Sequence, residues 1–434
     1  MKTVFSPFGR FIRVEAIGGV IVVFSALLAI VVSNTSVSSS FTRLFDTIVS
    51  LKIGDFQLSD TLVNWIKQGF MAIFFFVAGL EIKREVTLGE LSSLKKASLP
   101  IFAALGGTIV PVMLFVTINN HEAAFSAFLV PAMTDISLCF LVLGTLGKRV
   151  PENLKIFIFA YAIVGNLLSV SISIIYNHSE INLKFLLIGL GLFLYLVIFN
   201  IVKIRVIQIY MLVGWGIWYM FYRSGIHPAI AGIIIAFTIP KERKIRPSLF
   251  RKRLESNLQE FSSEERKSKV ELTDKQLIAI DNIVAETGKV KSPLQSLEHR
   301  LHGFVAYLVL PLFLLVNAGV GLYNPDFSAG SDSMFRIIAI SMVFGKVAGI
   351  FIISWVAVKV RLAVLPAEVK WMHLLGAALL GGVGFSMSLF VNELVIIPQI
   401  LSEQIKTGIY AGSIVAALSG FLVLRLIPKN KIKS

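Results

Sequence analysis

Long apolar runs follow one another along almost the whole chain and are separated by short polar segments. A helix needs about 20 mostly apolar residues to cross the hydrocarbon core of a bilayer. By this measure the pattern predicts about twelve transmembrane helices, of which the seventh and eighth are short. The expected fold class is therefore an all-α polytopic membrane protein. The predicted spans cover residues 16–34, 62–80, 98–118, 124–146, 153–176, 182–202, 207–222, 226–240, 303–320, 337–358, 371–392 and 407–424.

Basic residues are concentrated in every second segment between the predicted spans. The sequence holds 41 Lys and Arg against 26 Asp and Glu, a formal net charge of +15. With the N-terminus in the cytoplasm, most basic residues fall on the cytoplasmic side, as the positive-inside rule requires. The charge excess therefore predicts cytoplasmic termini and a lipid bilayer as partner, and it gives no reason to expect nucleic acid. The outer side receives only Arg43, Lys52, Lys67, Lys184, Arg223, Arg336 and Lys406.

The first apolar run follows basic residues, which is also the order found in signal peptides. The run is long for a signal peptide, and its removal would put the second span out of phase with its charges. We therefore expect a retained span.

Composition excludes most soluble classes. Hydrophobic residues make up 56% of the chain and charged residues 15%, whereas soluble domains carry about 25% charged residues. The single cysteine, Cys139, rules out an internal disulfide framework and a thiolate zinc cluster. The sequence has no His-Glu-x-x-His motif, Walker loop or dinucleotide motif. We therefore expect neither an enzyme nor a resident cofactor.

Residues 241–300 differ from the rest because they mix acidic and basic side chains and lack a long apolar run. We interpret them as a charged cytoplasmic loop within a single domain that spans residues 1–434. Helical spacing of apolar residues predicts a surface helix over 271–286. A solvated linker is the simplest interpretation. The alternative is a partner-binding loop on a non-transporting membrane scaffold.

Two ionisable side chains lie deep in predicted spans, Asp135 in the fourth and Lys346 in the tenth. Such residues cost about 2.5–3.5 kcal/mol each on insertion scales and are candidates for function. Pro131 precedes Asp135, and the eleventh span contains Gly-Gly-Val-Gly at 381–384 followed by Ser386, so both spans are predicted to be broken. Two interrupted spans in matching places indicate a transporter with inverted repeats. The alternative is that the small residues only serve close helix packing.

Broken helices leave partial positive charge at their N-termini and partial negative charge at their C-termini. Asp135 is therefore suited to compensate facing N-termini, and Lys346 to compensate facing C-termini. In the alternative arrangement the two side chains pair with each other.

Several sequence motifs also occur in a known family. They include FFFVAGLEIKRE at 74–85, PAMTDI at 131–136 and GVGFSMSLF at 382–390, together with residues 104–111, 224–227, 297–302, 311–313, 317–320 and 345–346. In these motifs the chain resembles the NhaA sodium/proton antiporters over about residues 12–427. That family is itself a known example of inverted repeats with discontinuous helices.

The resemblance implies that spans four and eleven cross near the membrane midplane, with Thr134 and Asp135 at the crossing and Lys346 close by. It implies antiport of sodium or another monovalent cation against protons across a bacterial inner membrane, for pH and sodium homeostasis. Asp135 is a candidate sodium ligand on the residues themselves. The resemblance also implies a homodimer joined through a hairpin at residues 51–59. A cytoplasmic pH response would involve Glu81, Glu85, His227, Glu298, His299 and His302.

The fifth span departs from the family pattern. Gly165 and Asn166 stand where the family has two adjacent aspartates that bind sodium and exchange protons, and Gln68 stands where an aspartate is expected in the second span. An amide supplies an oxygen ligand but releases no proton, so we expect altered or lost sodium coupling. One alternative keeps Asp135 as the lone titrating group.

In that alternative, Thr134, Ser386 and Asn166 serve as neutral oxygen ligands. In a further alternative, Lys346 carries the exchanging proton, which requires burial to favour its neutral form.

Overall fold

The computed structural model describes residues 7–54, 56–89, 91–176, 180–243, 245–262, 272–321, 333–395 and 397–428. Twelve helices or helix pairs, numbered as spans in chain order, overlap the predicted spans. They are Pro7–Ser33, Leu62–Leu88, Leu94–Ile118, Glu122–Ala132 with Ile136–Leu146, Glu152–Tyr176, Leu183–Ile201, Ile207–Ser224, Ala229–Thr238, Pro293–Asn317, Met334–Lys359, Trp371–Gly381 with Phe385–Glu393, and Gln399–Leu426.

Nine helices in the described ranges are long and apolar enough to cross a membrane, and the bent fourth span makes a tenth. The seventh span is outside that group, and the eighth, Ala229–Thr238, has only ten residues. The all-α polytopic prediction is confirmed, and the two spans that were expected to be short are the weakest candidates for crossing alone.

Both predicted helix breaks are present. The fourth span consists of a 3-10 segment ending at Ala132 and an α-helix starting at Ile136, with a bend of 40° between them. The eleventh span breaks over residues 382–384. The two breaks cross, because the Asp135 N–H donates to the Val383 carbonyl oxygen at 2.6 Å.

The third and tenth spans approach each other at two glycines. A Cβ atom on Gly106 would lie 2.1 Å from the carbonyl oxygen of Gly349, and one on Gly349 would lie 2.0 Å from that of Gly106. Only glycine permits this backbone contact. The tenth span also contains a π-helical segment, Ser341–Gly345, directly before Lys346. The close helix packing and the wider turn of the π-helical segment together place Lys346 next to the broken part of the fourth span.

A two-stranded antiparallel hairpin follows the first span and pairs Ile48–Ile53 with Phe56–Thr61, with Leu51 opposite Leu58. It is longer than the predicted 51–59. Trp65, at the start of the second span, donates its Nε1–H to the Val49 carbonyl oxygen at 3.1 Å, which holds the hairpin against the helix.

The charged stretch after the eighth span is more ordered than the sequence indicated. The predicted surface helix is present as Asp274–Val290, although residue 271 lies outside the described residues. A second helix, Pro247–Ser262, packs against it and had not been predicted. The ninth span already begins at Pro293, so the polar stretch ends earlier than residue 300.

Candidate cation site at the crossing of two broken spans

Asp135 lies buried where the fourth and eleventh spans cross. Its Oδ1 accepts the N–H of Leu138 at 3.0 Å, and its Oδ2 accepts the N–H of Ser386 at 3.0 Å as well as the Ser386 hydroxyl. The carboxylate therefore caps the N-termini of the two half-helices that start at Ile136 and Phe385. Such caps satisfy N–H groups that have no partner within their own helix.

Lys346 reaches the opposite kind of helix end. Its ammonium group donates to the carbonyl oxygen of Ala132, the last residue of the segment before the break, and to the Thr134 hydroxyl at 3.0 Å. Among the described residues no ion pair joins Lys346 to Asp135. The geometry matches the expectation that each charge compensates helix ends of opposite sign.

Asn166 of the fifth span is hydrogen-bonded to the broken part of the fourth span. Its Nδ2 donates to the Thr134 carbonyl oxygen at 2.7 Å, and its Oδ1 accepts the Thr134 N–H at 2.9 Å. The Thr134 hydroxyl in turn donates to the Gly381 carbonyl oxygen at 2.8 Å. Gly165 is different because a Cβ placed on it would meet only Thr108 and Ala104, at 3.8 Å or more. Space for a side chain therefore remains at Gly165.

A cavity of about 70 Å³ reaches the crossing from one side. This volume holds several water molecules or a partly hydrated cation. Twelve of its nineteen lining residues are apolar. Its polar lining residues are Glu15, Glu81, Asp135, Ser137, Asn166, His302 and Ser386.

The far end of the cavity is formed by three spans that meet at His302. The His302 Nδ1 lies 3.1 Å from Glu81 Oε1, and its Nε2 lies 3.3 Å from Glu15 Oε1. Beside them, Arg84 pairs with Glu298 and, at 3.0 Å, with Glu85. The structure thus brings together four of the six residues expected in a pH response: Glu81, Glu85, Glu298 and His302.

The other two candidates lie apart from this cluster. His299 is exposed on the ninth span. The eighth span runs parallel to the second, since Gly232 packs on Ala72 and Gly79 packs on Ala236. His227, just before the eighth span, therefore lies at the end of the second span opposite to Glu81. Its Nδ1 accepts the Ala229 N–H at 3.2 Å and its ring faces Phe390.

Gln68, the other departure from the family pattern, also lies away from the crossing. It lines a small pocket with Asp60 and Tyr222, and its carbonyl oxygen accepts the Trp218 Nε1–H at 3.1 Å. No metal-binding group of three or more His, Cys, Asp or Glu residues occurs in the described part of the chain.

Sequence reasoning missed Glu15. The carboxylate is buried, and its Oε2 accepts the hydroxyl of Ser137, two residues after Asp135. The predicted first span began at residue 16, directly after Glu15, so Glu15 was interpreted as a polar residue that flanks the membrane. A usable signal existed, because Glu15 is the only acidic residue in the first 45 positions and directly precedes a long apolar run.

Comparison with known proteins agrees with the geometry. A family model described as Na+/H+ antiporter 1 matches residues 9–424. The chain is 34% identical over 432 residues to the Na(+)/H(+) antiporter NhaA 1 of Saccharophagus degradans, which covers 99% of this chain and 93% of that protein. Identity is 36% with the NhaA antiporter of Sulfurimonas denitrificans, covering 98% and 96%. It is 37% with that of Acidithiobacillus ferrooxidans, covering 98% of each.

Proposed function

Because the chain belongs to the NhaA family of Na+/H+ antiporters, we propose that it exchanges sodium or another monovalent cation for protons across the bacterial inner membrane. The observation that carries the proposal is the cavity that joins the His302 cluster to Asp135 at the crossing. Unwound spans that offer oxygen ligands and helix ends to a cation are already known in this family.

The cation is proposed to lie at the inner end of the cavity, among oxygen atoms of Asp135, Asn166 and Ser386. Small hard cations prefer such ligands to nitrogen or sulfur. Asp135 supplies the negative charge, and Asn166 and Ser386 supply neutral oxygens. Lys346 is not among the residues that line the cavity, so we assign it a structural role at the end of the preceding helical segment.

Charge distribution supports an orientation with both termini in the cytoplasm, since this places most Lys and Arg residues on the cytoplasmic side. The His302 cluster would then face the cytoplasm and adjust activity to internal pH.

The hairpin supports a homodimer, because the large apolar side chains of Ile48, Val49 and Leu51 are exposed on it. A second copy of the chain would cover these residues.

The test uses purified full-length protein in proteoliposomes. A sodium gradient is imposed, and proton movement is followed with a pH-sensitive dye inside the vesicles. We expect sodium-dependent alkalinisation or acidification that reverses with the direction of the gradient and is absent from protein-free vesicles. Proton flux that does not depend on sodium or lithium would contradict the proposal.

A further inference from the structure

The residues of the fifth span that line the cavity, Ile163, Asn166 and Leu167, supply no group that can release a proton. Gly165 has no side chain, and the Asn166 amide is held by two hydrogen bonds to the Thr134 backbone. At the crossing, both oxygens of Asp135 already accept hydrogen bonds from helix ends and from Ser386. A cation that enters the cavity must nevertheless displace a proton from some acid if transport is coupled.

Glu15 has the position that this exchange requires. It is buried on the first span, it lines the same cavity as Asp135 and Asn166, and its Oε2 accepts the Ser137 hydroxyl. Ser137 lies in the first turn of the half-helix that Asp135 caps. Glu15 is therefore hydrogen-bonded to the half-helix that Asp135 caps, although it belongs to a different span.

The groups that face Glu15 come from three other spans. Glu81 from the second span and Asp135 from the fourth are acidic, and His302 from the ninth lies 3.3 Å from Glu15 Oε1. His302 Nε2 is a buried atom without a hydrogen-bond partner among the described residues. Glu81 already contacts the other nitrogen of the same ring. Glu15 Oε1 thus faces the ring nitrogen of His302 that Glu81 does not contact.

We propose that Glu15 is the proton-exchanging carboxylate of this transporter. This inference rests on the proposed antiport function. A cation entering the cavity meets the carboxylic acid of Glu15, the O–H bond breaks, and the proton leaves past His302 and Glu81 to the solvent. The carboxylate then balances the charge of the cation. When the cation departs, Glu15 takes a proton back, so one positive charge is exchanged for another.

The test compares Glu15→Gln with Glu15→Asp in the proteoliposome assay. The Gln side chain keeps the size and the hydrogen-bonding ability of Glu15 but has no titrating proton. Glu122→Gln is the matched control, because Glu122 is exposed at the start of the fourth span. Two quantities are measured: sodium-driven proton flux, and exchange of radioactive sodium against unlabelled sodium, which needs no proton.

We expect Glu15→Gln to lower sodium-driven proton flux by about tenfold or more while sodium–sodium exchange continues. Glu15→Asp should recover part of the proton flux, and Glu122→Gln should equal the unmodified protein. Undiminished proton flux in Glu15→Gln overturns the inference and leaves the antiport function standing. Loss of both fluxes in a variant with unchanged thermal stability also overturns it. An inactive unmodified protein overturns the proposed function and the inference together.

Discussion

Asn166 clamps the backbone of Thr134 from both sides, as the Asn166 amide donates to the carbonyl oxygen of Thr134 at 2.7 Å and accepts its N–H at 2.9 Å. The pair joins the fifth span to the broken segment of the fourth. A carboxylate at position 166 could accept the N–H but would face the carbonyl oxygen without a proton to donate. Asn166 is thereby part of what holds the crossing together.

We predict that Asn166→Ala lowers the free energy of unfolding by about 1–3 kcal/mol, because two buried backbone groups of Thr134 lose their partners. Asn166→Asp should lose a similar amount, since one hydrogen bond is replaced by repulsion between oxygens. The measurement is thermal or denaturant unfolding of the purified protein in detergent. Asn120→Ala, at an exposed position after the third span, serves as control. Equal stability of all variants would argue against the clamp.

We predict that aspartates introduced at positions 165 and 166 of the fifth span can exchange protons in place of Glu15. Gly165→Asp and Asn166→Asp are introduced together, since a side chain at 165 meets no atom closer than 3.8 Å to its Cβ. In a Glu15→Gln background this double change should restore sodium-driven proton flux in proteoliposomes. Gly165→Asp alone should restore less, because Gly165 is not among the cavity-lining residues and the Cβ of a new side chain would have Thr108 and Ala104 as neighbours. Failure of the double change to raise the flux would contradict this prediction.

The broken spans could be predicted from the sequence because their causes are local. Pro131 lacks the N–H that would continue the helical ladder, and three glycines within residues 381–384 weaken the helix there. The sequence left several alternative roles open for Asp135 and Lys346, since their partners lie on spans far away in sequence. Glu15 was missed for the same reason. Its proposed role depends on contacts with His302 and Ser137. The hydropathy pattern shows only that Glu15 lies at the edge of an apolar run.

Two kinds of glycine in the spans should respond differently to alanine. Gly106→Ala places a methyl group 2.1 Å from the Gly349 carbonyl oxygen, so the third and tenth spans must move apart. We expect a loss of about 3 kcal/mol or more, at the upper end for overpacking. Gly191→Ala is the control, because no atom lies within 4 Å of the new methyl group and alanine favours the helix. Unfolding in detergent measures both, and comparable stability of the two variants would disprove the packing argument.

The contact between the surface helices should weaken at low pH. Glu286 on Asp274–Val290 accepts hydrogen bonds from Lys289 at 2.7 Å and from Arg253 on Pro247–Ser262 at 2.9 Å. These bonds hold the pKa of the Glu286 carboxyl below its ordinary value of 4.5. A lowered pKa in the folded state means that the stabilisation is present at pH values above 4.5 and is lost as the pH falls through the folded-state pKa.

Hydrogen–deuterium exchange, corrected for its intrinsic pH dependence, tests this directly. Protection of residues 247–262 should be constant at pH values well above 4.5 and should fall as the pH drops through the lowered pKa of Glu286, where the carboxylate binds a proton. Glu286→Gln should show the weaker protection at every pH, because a neutral amide lacks the charge-assisted bonds. Asp281→Asn changes an exposed carboxylate on the same helix and should retain the pH response. A pH response that persists in Glu286→Gln would assign the effect to another group.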